Sequence, residues 1–305
     1  MLELRDLPAD PHSPHEGEAL NRLAGRRVST RFVPLDDALT QARQTLDRTA
    51  DTSTWADVVD GAVDGADVVG WVWLGAEGDE LVVNDIVLDS PSRAGELLPA
   101  LVERARGLGA RMVGIGVLGE DPVREVLGSL PGFTVRATNM ALSLDGVIAD
   151  PAPVTLHPMS ETEFDVWVEG EVEGYAEELA ATGMSAETAL ERSRTQMAGL
   201  IPAGVESPGM EFFLARVDGE VVGDLWLDTS AAMAFVYNIE VAQAHRRRGY
   251  GAAIMNAAAR HCRDAGHPYL GLNVFGHNPN ARALYDKLGY RVTLDYRALD
   301  VPDGG

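Results

Sequence analysis

The chain has 305 residues, 46% hydrophobic and 24% charged, enough to bury a large core and more in keeping with two domains than with one. Its formal net charge of −22, from 47 acidic and 25 basic residues, disfavours nucleic acids and anionic membranes as partners, because phosphates are repelled over most of such a surface. With a single cysteine, Cys262, it can form neither an intrachain disulfide nor a cysteine-rich metal site.

No apolar run approaches the roughly 20 residues that span a bilayer. The first residues, MLELRDLPADPHSPHEGEAL, lack the basic and apolar regions of a signal peptide, so a cytoplasmic location is expected. In chain order, Leu2–Leu7 reads as a short strand, followed by a polar Pro/His stretch and a helix over Leu35–Arg48. Asp67–Leu74 and Glu80–Leu88 read as strands. The spacing of Leu97, Leu98, Leu101, Val102 and Ala105 predicts a helix over Ala94–Leu108. A strand at Arg111–Leu118, a short helix at Pro122–Leu130 and a strand at Thr134–Leu144 complete the first half. Leu144–Pro153 has linker chemistry, with Gly, Asp and two prolines. Domains are therefore expected at 1–148 and 152–305.

The second half repeats the order of the first. Val63-Asp64-Gly65, Val68-Val69-Gly70 and Trp73-Leu74 recur as Val217-Asp218-Gly219, Val221-Val222-Gly223 and Trp226-Leu227. Asp85–Leu88 recurs at Asn238–Val241, displaced by 153. Gly114–Gly119 recurs at Gly271–Gly276, and Gly132-Phe133 at Gly289-Tyr290, both displaced by 157. Ordered matches at nearly constant displacement indicate two copies of one fold. Alternating strands and helices with short middle turns predict, for each copy, a mixed, mostly antiparallel sheet flanked by helices: an α/β (α+β) class. The second copy opens with longer helices, Glu161–Ala180 and Ser185–Leu200, the latter capped by Ser185.

Met233–Val241, MAFVYNIEV, is strand-like, and helix periodicity begins near Gly249. Arg246-Arg247-Arg248-Gly249-Tyr250-Gly251-Ala252 therefore sits at a strand-to-helix turn. Glycines allow close backbone approach there, and the first N–H groups of a helix point outward unpaired. A diphosphate satisfies those donors and is favoured by the helix dipole. Taken alone, the motif is equally a glycine-rich helix start with solvated arginines. It is no P-loop, which needs Gly-x4-Gly-Lys-Ser/Thr. VGIGVLG at Val113–Gly119 imitates a dinucleotide fingerprint. Its recurrence at Gly271–Gly276, the short helix behind it and the missing acidic strand end count against that reading.

Arg246-x-x-Gly249-x-Gly251, the strand Tyr269–Phe275 and Asn278-x-x-Ala281-x-x-Leu284-Tyr285 together resemble the GNAT superfamily of N-acetyltransferases, over about Val154–Leu299. The whole chain resembles a tandem GNAT protein with a degenerate N-terminal copy. There, Ser92–Leu97 lacks the second glycine and carries Glu96, and Leu127 or Gly128 stands opposite Tyr285. The resemblance implies direct transfer of acetyl from acetyl-CoA, as co-substrate, to a primary amine, with no metal. It implies Tyr285 as general acid toward the thiolate, and the backbone N–H groups of Ile239 and Val241 as donors to the thioester oxygen and pantetheine. Asn278 caps the last helix and is a second CoA contact. Glu240 is the first candidate base. If strand alternation turns it away, Tyr237 and Asn238 line the site instead. Tyr175, Glu178, Glu211, Trp226 and Asn273 are further substrate candidates. The acidic surface favours a small cationic amine. Competing readings are a mycothiol-synthase-like enzyme, a protein N-terminal acetyltransferase, and a CoA-binding sensor or scaffold without turnover.

Overall fold

The computed structural model describes residues 2–8, 13–61, 67–146, 148, 154–181 and 185–302. Part of the linker stretch, residues 147 and 149–153, lies outside the described residues, as do Val63-Asp64-Gly65 of the repeat and the side chain of Glu178. The first half runs β1 (Leu2–Asp6), α1 (Glu16–Arg31), α2 (Leu35–Thr49), β2 (Ser53–Asp60), β3 (Val68–Glu77), β4 (Glu80–Leu88), α3 (Ala94–Gly107), β5 (Met112–Val117), α4 (Pro122–Gly128) and β6 (Phe133–Ser143). The second runs β7 (Thr155–Pro158), α5 (Glu161–Ala181), α6 (Ala186–Leu200), β8 (Met210–Val217), β9 (Glu220–Asp228), β10 (Met233–Val241), α7 (Tyr250–Asp264), β11 (Tyr269–Phe275), α8 (Pro279–Lys287) and β12 (Arg291–Asp300). Three strands, β2, β7 and β8, and the whole of α1 extend the elements read from sequence.

The two compact units are discontinuous, unlike the contiguous halves expected from the linker. One comprises Met1–Met140, Asn273–Arg282 and Arg291–Gly305, the other Ala141–Leu272 and Ala283–Tyr290. In the first, strands follow the order β1-β2-β3-β4-β5-β12. All pairs are antiparallel except β4 with β5. The chain's last strand thus belongs to the first unit: Asp295 to Asp300 register with Val117 to Met112. The glycines of the false dinucleotide fingerprint make room for it, since a Cβ on Gly114 would overlap the Tyr296 ring and hydroxyl. The core beneath β1–β5 is aliphatic, with Leu74, Leu81, Ile86, Leu97, Leu101 and Ile115 fully buried.

The second unit has the order β7-β8-β9-β10-β11, again antiparallel except for one parallel pair, β10 with β11. Cross-strand partners share a face, and neighbours along a strand alternate. Phe212, Trp226 and Asn238 are such partners. Their face meets α5 and α6 through Phe164, Trp167 and Met197. The opposite face carries Gly223 against Ile254, and Phe213 against His261, both residues of α7. Burying each of these large apolar side chains contributes roughly 1.5–3 kcal/mol, so α5 and α7 are fixed on opposite faces of β9 and β10.

Candidate active site

The turn between β10 and α7 is built from unusual backbone. Arg247 has φ 65° and Gly249 has φ 86°, both left-handed. Gly249 is the N-cap of α7 and supplies no side-chain cap. Ala253 N–H is the first to bond back, to Gly249 C=O at 3.1 Å. The N–H groups of Tyr250, Gly251 and Ala252 consequently have no acceptor within the helix. The space over Gly249 is open, whereas a Cβ on Gly251 would lie 3.3 Å from Leu284 Cδ2. The two glycines thus do different work. Gly249 permits the backbone turn, and Gly251 lets α8, with Tyr285, run beside the helix start.

The arginines also divide. Arg246 donates from Nε to Val241 C=O at 3.0 Å and from Nη2 to Glu240 Oε1 at 2.8 Å, which ties the turn to the end of β10. Arg247 and Arg248 are exposed and form no ion pair among the described residues. The free positive charge at the helix start is theirs.

β10 is bulged at Tyr237: Val236 registers with Leu227 and Asn238 with Trp226. A bulge places two consecutive side chains on one side of the strand. Tyr237 stacks on Trp226 at 4.7 Å, and Asn238 lies on the same face. Glu240 follows on that face, directly opposite Asp224. Beyond the bulge β10 loses its parallel partner, because pairing with β11 stops at Val236–Leu272. Ala242 N–H bonds Val222 C=O, so by the alternation of an antiparallel ladder Asn238 and Glu240 turn their backbone groups toward β9. Ile239 and Val241 turn theirs to the other edge, where Val241 C=O receives Arg246. Among the described residues, that edge carries N–H donors with no acceptor, close to the start of α7.

Tyr285 is buried, 5.8 Å from Tyr290 between ring centroids, and its hydroxyl has no hydrogen-bond partner among the described residues. Burial raises its pKa, so it holds its proton at neutral pH. Asn278 Oδ1 accepts from Ala281 N–H at 3.1 Å; its side chain is spent as the cap of α8. Cys262 is buried on the inner side of α7, and burial pushes its thiol up to about 12.

The α5 face holds a carboxylate that the sequence did not single out. Asp224, on β9, accepts from Trp167 Nε1 at 3.1 Å and has no cationic partner among the described residues. Burial pushes its pKa up to about 6; the Trp167 bond opposes this and the charge of Glu240 adds to it. Asn238 is held by Glu171 Oε1 at 2.9 Å. Of the other substrate candidates, Trp226 is buried, with Nε1 3.4 Å from Met210 Sδ. Tyr175 bridges α5 to α6 by donating to Gln196. Glu211 is paired with His261 at 2.5 Å and accepts from Thr229. Asn273 donates to Asn139, both being residues of the first unit. Tyr237, Asn238, Glu240 and Trp226 are brought together; Tyr175, Glu211 and Asn273 are engaged elsewhere. Among the described residues no group of three or more His, Cys, Asp or Glu side chains is arranged to hold a metal.

The first copy closes the corresponding places. Asp121 caps α4 through Arg124 N–H as Asn278 caps α8 through Ala281 N–H. That equivalence sets Gly128 opposite Tyr285 and Arg124 opposite Ala281. A Cβ on Gly128 would overlap Val117, so no side chain fits there. β4 is bulged at Asn84 and leaves β5 after Val83–Ile115. The gap is filled by the Arg124 guanidinium, which donates to Gly116 C=O at 2.8 Å and to Asn84 C=O. Arg22, Arg26 and Arg124 all converge on Asp85, which is 0% exposed. Arg93 is neutralised by Asp60 and Glu96.

The model of the acetyltransferase (GNAT) family matches residues 174–290. An uncharacterized N-acetyltransferase of Bacillus subtilis, YdgE, is 31% identical over 145 residues, covering 46% of this chain and 92% of that protein. A second from the same organism, YycN, is 30% identical over 146 residues, covering 46% and 94%. A GCN5-related N-acetyltransferase from Sphaerobacter thermophilus superposes at TM-score 0.56 over 100% of this chain and 96% of its own; at 17% identity the likeness is one of fold. The molecule is an acyltransferase with two copies of one fold. It belongs to the acetyltransferase (GNAT) family.

Proposed function

We propose that the second copy transfers an acetyl group from acetyl-CoA directly to the primary amine of a small cationic substrate. The observation that carries this reading is the unpaired edge of β10 beside an uncapped helix start that bears two unpartnered arginines. Tyr250, Gly251 and Ala252 N–H groups, with Arg247 and Arg248, suit the diphosphate of CoA. Ile239 and Val241 N–H groups suit the pantetheine and the oxygen that gains charge as the amine attacks. Acetyl-CoA supplies the activated acetyl group. As the N–C bond forms and the C–S bond breaks, Tyr285 gives its proton to the leaving thiolate.

The amine arrives over the α5 face. Asp224 and Glu240 attract it as an ammonium ion, and Asp224, a half-buried carboxylate lacking a cationic partner, is suited to take its proton. The first copy binds no CoA, since Arg124 occupies the gap and Arg93 is neutralised.

The test is thiol release from acetyl-CoA with a panel of amines, joined to calorimetry. We expect turnover, one acetyl-CoA bound per chain, and loss of binding in Gly249→Val, where a β-branched residue cannot hold φ 86°. Undiminished affinity in that variant removes the turn before α7 from the reading. Tight CoA binding without turnover on any amine replaces the enzyme with a sensor.

A further inference from the structure

Two phenols meet in the second copy where the first has none. The displacement that sets Gly128 opposite Tyr285 also sets Phe133 opposite Tyr290. The copy closed by Arg124 thus lacks both hydroxyls. Tyr290 is 3% exposed, and its hydroxyl is buried without a hydrogen-bond partner. Buried hydroxyls ordinarily have partners, and leaving one unpaired destabilises a fold.

Packing requires only the ring. Behind α8 the chain turns through Gly289 at φ 88°, and Tyr290 N–H bonds Tyr285 C=O at 3.0 Å. This helix ending brings the two side chains into apolar contact, with ring centroids 5.8 Å apart at 57°. Phenylalanine fills the same place in the first copy, where Phe133 packs against the core. The Tyr290 hydroxyl is therefore a cost that the fold does not need.

Burial holds the Tyr290 pKa well above its usual value, and the charges of Cys262 and Tyr285 add to this, so Tyr290 remains a donor. The Cys262 thiol also keeps its proton and is not bonded to Tyr290. Tyr285 differs, because its charge changes during the proposed transfer. As its proton passes to the departing sulfur, the thiol leaves neutral and a phenolate remains. Burial opposes that phenolate. A neighbouring O–H with no other acceptor can donate to it, and hydrogen bonds to charged acceptors are the stronger kind. No bond joins the two hydroxyls at rest. The donation is gained only as charge develops, which is where it lowers the barrier.

We infer that Tyr290 is a positioning residue for the transfer, its hydroxyl donating to the Tyr285 phenolate oxygen as Tyr285 gives up its proton. Tyr290 keeps its own proton, and Tyr285 recovers one from water after the thiol has left. The inference rests on Tyr285 as the proton donor of the second copy.

The experiment compares Tyr290→Phe, which installs the residue of the first copy, with Tyr285→Phe and the double variant in the full chain. Thiol release from acetyl-CoA is followed with ethanolamine, ethylenediamine and glucosamine as acceptors, and melting by circular dichroism. Tyr290→Phe lowers kcat about tenfold and leaves KM for acetyl-CoA within about twofold. Its melting temperature is no lower than that of the wild type, since an unpaired buried hydroxyl has been removed. In the Tyr285→Phe background the same change alters kcat by less than about twofold, because the group it acts through is gone. A wild-type kcat in Tyr290→Phe, a lowered melting temperature, a failure to fold, or an equal loss in both backgrounds overturns the inference; with Tyr285→Phe still impaired, the acetyl-transfer reading stands. A wild-type kcat in Tyr285→Phe, or no thiol release with any of these amines, removes that reading and this inference with it.

Discussion

Tyr285 and Asp224 represent opposite cases at the scale of single residues. Tyr285 was legible because it closes a spaced motif, and burial then keeps its phenol protonated. On the proposed mechanism, Tyr285→Phe removes only the proton donor. It should lower kcat about a hundredfold while leaving the dissociation constant for CoA within twofold by calorimetry. Asp224 was not legible, since an aspartate within EVVGDLWLD carries no motif and only the packing of α5 half-buries it. In the proposed role of proton acceptor it would work as the carboxylate. With its pKa pushed up to about 6, kcat/KM should rise with pH through that value and level off above it. Asp224→Asn should abolish that acidic limb. Glu240, on the same side, adds to the upward shift and is itself ion-paired with Arg246, and Glu171 is bonded to Asn238. A limb that survives unchanged in the variant removes Asp224 from the reaction.

Among elements, β10 and β11 occupy the residues read from sequence, and α5 and α6 lie where helices were expected. α1 escaped because EGEALNRLAGRRVSTR shows little apolar periodicity, with only Ala19 and Ala24 buried; its Arg22 and Arg26 pair with Asp85 instead. The bulge at Tyr237 was also invisible. Simple alternation puts Asn238 and Tyr237 on opposite faces, and the inserted residue puts both beside Trp226. One tie between elements is pH-sensitive. His261 on α7 bonds Glu211 on β8, and that bond raises the His261 pKa and lowers that of Glu211. A raised histidine pKa contributes stability that is full below the unfolded value near 6.5 and is lost as pH rises through the folded value. The depressed Glu211 contributes above the unfolded value near 4.3 and loses this as pH falls through its folded value. The melting temperature of the wild type relative to His261→Gln should therefore be highest between about pH 5 and 6 and shrink toward pH 9. A difference independent of pH contradicts the tie.

For the whole molecule, the linker at 144–153 suggested two separable halves, yet β12 belongs with the first. A fragment of residues 1–148 leaves the β5 edge without its partner, along with the Tyr296 side chain that sits against Gly114. An unpaired edge strand invites association. The fragment should show no cooperative thermal transition by circular dichroism and should self-associate, whereas the full chain melts cooperatively. A monomeric, cooperatively melting fragment overturns this role of β12.

The sequence by itself determined what local pattern and spacing encode. It carried the duplication, the glycine-arginine turn before a helix, Tyr285 in its motif, and with these the family. Such features depend on residues close together in the chain or at fixed offsets, and their physics is that of helix starts, strand alternation and caps. Only the tertiary structure decided which arginines stay free, where the bulge sends Tyr237, that Asp224 is half-buried, and that Arg124 fills the first copy's gap. It also set the gap's outcome in the two copies: Arg124 against Ala281, Gly128 against Tyr285. Each of these turns on side chains brought together from distant parts of the chain, where burial and the sum of neighbouring charges, not local pattern, set the chemistry.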